Sequence, residues 1–188
     1  SISLFMFGMG IGALLSQLLP DGKELPLFLF VECALSIASA GSTLFIMQAA
    51  RLELAWAATV FIALLIGVLI GFEIPLLSRF NEKRKIVLKK NIALVFGADY
   101  LGSFLAGLSY SFFLLPAFGV VFTPIISGMI NLGIAVIIGI VFLKRLPATK
   151  LLFFGLFSGI AITLIWRNGD KLIATAEQGL YMDPIVFA

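Results

Sequence analysis

The sequence predicts an all-α protein, a polytopic membrane helix bundle of about six transmembrane helices. Three observations predict it. Of 188 residues, 61% are hydrophobic and 12% charged, against about 25% charged in a soluble domain, and the mean hydropathy is +1.15. The apolar residues gather in runs of about 20, the length that crosses a bilayer core at roughly 1.5 Å per residue. Lysine and arginine concentrate in the gaps between alternate runs.

The first run covers 2–19 and stops at the turn Pro20-Asp21-Gly22-Lys23. The second covers 25–50, with Pro26 in its first turn, where the missing N–H does no harm. Arg51, Leu52 and Glu53 form a minimal turn before the third run, 54–77. Residues 78–90 are the most basic stretch. The fourth run, 91–115, stops at Pro116, and 117–123 reads as an uncharged turn. The fifth covers 124–143, a second basic turn carrying Pro147 covers 144–150, and the sixth covers 151–166. The remainder, 167–188, is polar and mixed. The expected organisation is a transmembrane domain over 1–166 and an extramembrane tail over 167–188. Ser1 leads directly into an apolar run without Met or signal peptide, so the chain reads as a piece of a longer protein.

Orientation follows from lysine and arginine in short loops. Ten lie on one side (Lys23, Arg79, Lys83, Arg84, Lys85, Lys89, Lys90, Lys144, Arg145 and Lys150) and three on the other (Arg51, Arg167 and Lys171). The basic loops are therefore expected in the cytoplasm and the tail outside, in the plasma membrane of a bacterium or archaeon. Lys83, Arg84, Lys85, Lys89 and Lys90 are also candidates to hold anionic lipid headgroups.

Small residues recur four apart: Gly8 and Gly12, Gly67 and Gly71, Ala135 and Gly139, Gly155 and Gly159. That spacing lets helix backbones approach closely in lipid. Gly8-Met9-Gly10-Ile11-Gly12-Ala13 loosely fits a dinucleotide fingerprint, but no strand precedes it. Helix packing is the better reading.

The strongest functional signal is acidic. Glu32, Glu73 and Asp99 stand inside apolar runs, where a charged side chain costs roughly 2.5–3.5 kcal/mol or more. From the expected helix ends their depths are roughly 6–12 Å below the cytoplasmic face. Gln17 is near the same level, Asn131 is mid-span, and Tyr100 beside Asp99 offers a cation–π face. Together these are candidate substrate-binding residues for a polyamine or another organic cation in a cytoplasm-facing vestibule. A proton relay would use the same acids. So would two structural roles: pairing with snorkelling lysine or arginine, or capping helix N-termini.

There is no histidine, and Cys33 is the only cysteine. No metal site, nucleophile–base arrangement or P-loop is visible, so no catalytic residue, metal or cofactor is assigned to this chain. No nucleic-acid partner is expected. The bilayer is, and further membrane subunits fit an alternative reading, a small transporter or a non-catalytic subunit of a larger complex.

Several stretches resemble the membrane part of the fused, membrane-bound spermidine synthase-like (polyamine aminopropyltransferase-like) proteins. They are residues 4–12 (Leu-Phe-Met-Phe-Gly-Met-Gly-Ile-Gly), Val31-Glu32, 71–77 (Gly-Phe-Glu-Ile-Pro-Leu-Leu), 99–107 (Asp-Tyr-Leu-Gly-Ser-Phe-Leu-Ala-Gly), 115–119 (Leu-Pro-Ala-Phe-Gly) and Asn131. Glu-Ile-Pro-Leu-Leu and Asp-Tyr-Leu-Gly are the most specific. Residues 179–186 look like the lead-in to that family's Rossmann-type aminopropyltransferase domain. The resemblance implies an aminopropyltransferase parent whose Gly-rich loop and catalytic carboxylate lie outside this sequence. It also implies a cytoplasmic donor, decarboxylated S-adenosylmethionine, which conflicts with a tail placed outside by charge.

Overall fold

The computed structural model describes residues 2–83, 87–142, 148–167 and 174, and among them every regular element is helical. Helix α1, Ile2–Leu15, tightens into a 3₁₀ turn at Ser16–Leu18. It ends at Leu19, whose extended backbone (φ −78°, ψ 140°) is what a residue before proline adopts. Then come α2 (Glu24–Ala50), α3 (Ala55–Glu82), α4 (Leu88–Ser109), a π turn at Tyr110–Leu114, α5 (Leu115–Val141) and α6 (Ala148–Arg167).

Among the described residues, three helical stretches are long and apolar enough to cross a membrane: Glu24–Ala50, Ala55–Glu82 and Lys89–Val141. Ile2–Leu18 and Gly155–Arg167 are apolar but shorter.

The third stretch overturns one sequence expectation. Pro116 does not stop the fourth helix. It is the second residue of α5, a position where the missing N–H is harmless. The break falls at Gly119 instead (φ 69°, ψ −176°), a conformation open to glycine and strained for other residues. The fully buried Thr123 hydroxyl lies 2.6 Å from the Gly119 carbonyl oxygen and 3.1 Å from that of Leu114. One hydroxyl thus contacts the backbone before the break and at it. Residues 117–123 are thus helical on both sides of one interruption.

Helix α3 also runs five residues beyond its expected end at 77, and α4 begins three residues earlier than expected. Polar partners at this end sustain the extra turns. Asn81 donates to the Asn91 side chain at 2.9 Å, Asn91 donates to the Ser78 carbonyl at 2.8 Å, and the Arg79 guanidinium donates to the Ser16 carbonyl. The α3–α4 connection shrinks to 83–87.

Helix α2 is the centre of the bundle and packs on α3, α5 and α6. Phe28, Val31 and Leu35 meet Leu76 of α3, Leu29 and Cys33 meet Ala135 of α5, and Ala40 meets Ile125 and Ile162 of α5 and α6. Helix α1 seats on α3 through the predicted glycines. A β-carbon at Gly8 would lie 2.8 Å from the Leu64 carbonyl oxygen, one at Gly12 would run into the Val68 carbonyl, and one at Gly71 into that of Met9. The glycine-rich run of α1 is a packing surface. Gly155 and Gly159 do not behave this way among the described residues: none lies within 4 Å of a β-carbon at the first, and a Leu132 methyl lies 3.7 Å from one at the second. Helix α6 buries Ser158 and Ile162 instead, with the Ser158 hydroxyl 3.4 Å from the Cys33 carbonyl.

Candidate functional site

One end of the bundle is tied by polar contacts. Glu24, the first residue of α2, is 4% exposed. Its carboxylate accepts from the Gly22 N–H at 2.9 Å and pairs with the Lys83 ammonium at 2.5 Å. The sequence carried a signal for Glu24, an acid at a helix N-terminus beside a basic segment, yet it was not among the expected site residues. Of the headgroup candidates, Lys83 is therefore engaged by a carboxylate, Lys89 and Lys90 are exposed, and Arg84 and Lys85 lie outside the described residues. Lys144, Arg145, Lys171 and residues 179–186 also lie outside them.

The three inner acids are placed along their helices by the observed helix ends. Glu32 is eight residues in from Glu24, Glu73 nine from Glu82 and Asp99 eleven from Leu88. At 1.5 Å per residue these are roughly 12–17 Å along the helix axes.

Glu73 of α3, Asp99 and Ser103 of α4 and Asn131 of α5 line a cleft of ≈ 450 Å³, and Leu35 of α2 and Ile70 of α3 add apolar lining. The α4 wall is made of small residues, Ala98, Gly102 and Ala106, at helical spacing with Asp99 and Ser103. Small side chains on that face leave the space open. Glu32 does not line the cleft. It is 5% exposed in α2, within electrostatic range of Glu73, as is Asp99. Among the described residues no lysine or arginine pairs with Glu32, Glu73 or Asp99.

Two expected residues fall elsewhere. Tyr100 is 68% exposed and meets Phe96 across 6.2 Å rather than lining the cleft. Consecutive helix residues point about 100° apart, so turning Asp99 inward turns Tyr100 out. Gln17 is exposed in the 3₁₀ turn after α1 and also does not line the cleft. Ser103 is the residue sequence reasoning missed. A serine within an apolar helix carries little signal by itself, and the facing of α4 is what puts it on the cleft.

A protein named polyamine aminopropyltransferase 1 from Streptomyces coelicolor is 34% identical to this chain over 98% of its length. A polyamine aminopropyltransferase 2 from Aquifex aeolicus is 33% identical over 98%, and a polyamine aminopropyltransferase from Oceanobacillus iheyensis 30% over 99%. The chain belongs to the spermidine synthase-like family. It spans 36–37% of the length of these curated relatives and matches their N-terminal part. No protein-family model and no solved structure matches it. The spermidine synthase-like members named here are aminopropyltransferases as whole proteins, and the part this chain shares with them carries the cleft just described.

Proposed function

We propose that this chain is the membrane domain of a spermidine synthase-like protein, that its six apolar helical segments cross the bilayer with the basic connections in the cytoplasm, and that its cleft binds an organic cation of the polyamine kind. On this reading the domain anchors a catalytic domain and holds a cationic molecule within the membrane's thickness.

The observation that carries the reading is the cleft lined by Glu73, Asp99 and Asn131, whose carboxylates have no cationic partner among the described residues. An unpaired intramembrane acid facing a cavity is costly to keep and marks a ligand or ion path by default. Among the described residues, no three metal-binding side chains gather closely enough to hold one metal ion. Acids spread along a cleft suit an extended organic cation, with its methylenes on Leu35 and Ile70 and its ammonium groups on the carboxylates.

Calorimetric titration of the purified chain with spermidine tests it. Saturable binding is expected, with affinity falling at least about tenfold, 1.4 kcal/mol, in Glu73→Gln and in Asp99→Asn. Folded variants that bind as the parent does remove the reading.

A further inference from the structure

Helix α4 is attached to the bundle unlike the others. It is pinned at one end by Asn91, fully buried and hydrogen-bonded to Ser78 and Asn81 of α3, with Val95 buried one turn on. Beyond that it packs only lightly on α3. From Ala98 to Phe113 every residue is exposed except Asp99, which is half-buried. A β-carbon at Gly97, Gly102 or Gly107 would meet nothing within 4 Å. At its other end stand two irregularities in succession. In the π turn Tyr110–Leu114 the Leu115 N–H reaches back five residues to the Tyr110 carbonyl, and then comes the positive-φ break at Gly119. π turns and glycine breaks are where helices bend.

These features sit on the helix that carries Asp99 and Ser103. We propose that α4 is a hinged wall of the cleft: it pivots on Asn91, bends between Tyr110 and Gly119, and closes Asp99 and Ser103 onto a molecule held by Glu73 and Asn131. The cation-binding role rests on the function proposed above; the hinge rests on the backbone. The small residues of the α4 inner face have the chemistry that permits such an approach, since small side chains already allow α1 and α3 to touch backbone to backbone. Phe112 lies 21 residues beyond Asn91 (112 − 91), about 31 Å along the axis, so a pivot of about 10° carries it about 5 Å.

Spin labels at Trp56→Cys and Phe112→Cys read this motion in the whole chain, in a Cys33→Ser background that removes the only native cysteine. Both native side chains are exposed, so labels there leave the core intact. The expected result is a shift of the mean distance by up to about 5 Å at saturating spermidine. Saturable binding by calorimetry on the same sample with an unmoved distance overturns the hinged wall and leaves the binding proposal standing. If spermidine does not bind, the binding proposal falls and Gly119→Ala decides the hinge without ligand. A β-carbon at φ 69° disfavours the bend, so the free distance distribution shifts if Gly119 is the hinge, and an unchanged distribution overturns it.

Discussion

The Lys83 ammonium lies 2.5 Å from the Glu24 carboxylate and ties the end of α3 to the first residue of α2. The two partners are not equivalent: the lysine side chain is 48% exposed and the carboxylate 5%. Removing the lysine strands a buried anion, whereas removing the acid frees a lysine that turns to water. Lys83→Met is expected to cost about 1–3 kcal/mol and Glu24→Gln less. Thermal unfolding of the purified protein in detergent checks it, and equal losses would contradict this account.

Gly10 and Gly12 make a matched pair of tests on one helix. A β-carbon at Gly10 meets nothing, while one at Gly12 meets the Val68 carbonyl. Gly10→Ala is expected to be neutral or to stabilise by about 0.5–1 kcal/mol. Gly12→Ala must push α1 off α3 and is expected to cost about 1–3 kcal/mol, as overpacking does. Melting temperatures of the two variants read out the difference.

Thr123→Val keeps the shape of a buried side chain and deletes the hydroxyl that serves the Gly119 and Leu114 carbonyls. A loss of about 1–2 kcal/mol is expected. Hydrogen exchange should rise around residues 114–123 and stay unchanged in α1.

Tyr100→Phe and Tyr100→Ala are expected to leave spermidine binding within about twofold of the parent, because the ring stands outside the cleft and exposed cation–π contacts are worth only about 0.5–1 kcal/mol. Calorimetry checks it. A tenfold loss in the alanine variant would return Tyr100 to the site.

The six crossings proposed above predict sidedness. In a Cys33→Ser background, a cysteine at Glu53 in the exposed α2–α3 turn should react with an impermeant maleimide on intact cells. A cysteine at Val87, exposed in the α3–α4 connection, should react only after the membrane is opened. Reaction of both from the same side would refute the alternation.

The residues that were legible in the sequence are those whose partners are fixed by spacing alone. Gly8, Gly12, Gly67 and Gly71 announce a backbone contact because four-residue spacing puts small groups on one helix face. The shared depth of Glu73 and Asp99 follows from counting along two helices. What failed needed knowledge of rotation or of partners. Counting places Tyr100 beside Asp99, but only the facing of α4 decides that one turns in and the other out. The stop at Pro116 assumed that proline breaks whatever helix holds it, whereas its place at the start of α5 makes it harmless and leaves the break to Gly119. The end of α3 was misjudged because Ser78, Arg79 and Asn81 look like loop residues until Ser16 and Asn91 supply their partners.

The seating of α1 on α3 constrains how the molecule is made. Helix α1 precedes α3 in the chain and meets its glycine-lined counterpart only after α2 has emerged and turned back. Until then its glycine face lacks the α3 backbone that it packs against. Slowing translation between the codons for Pro20 and Ala55 would lengthen that interval, and it should raise the share of young chains degraded before they mature.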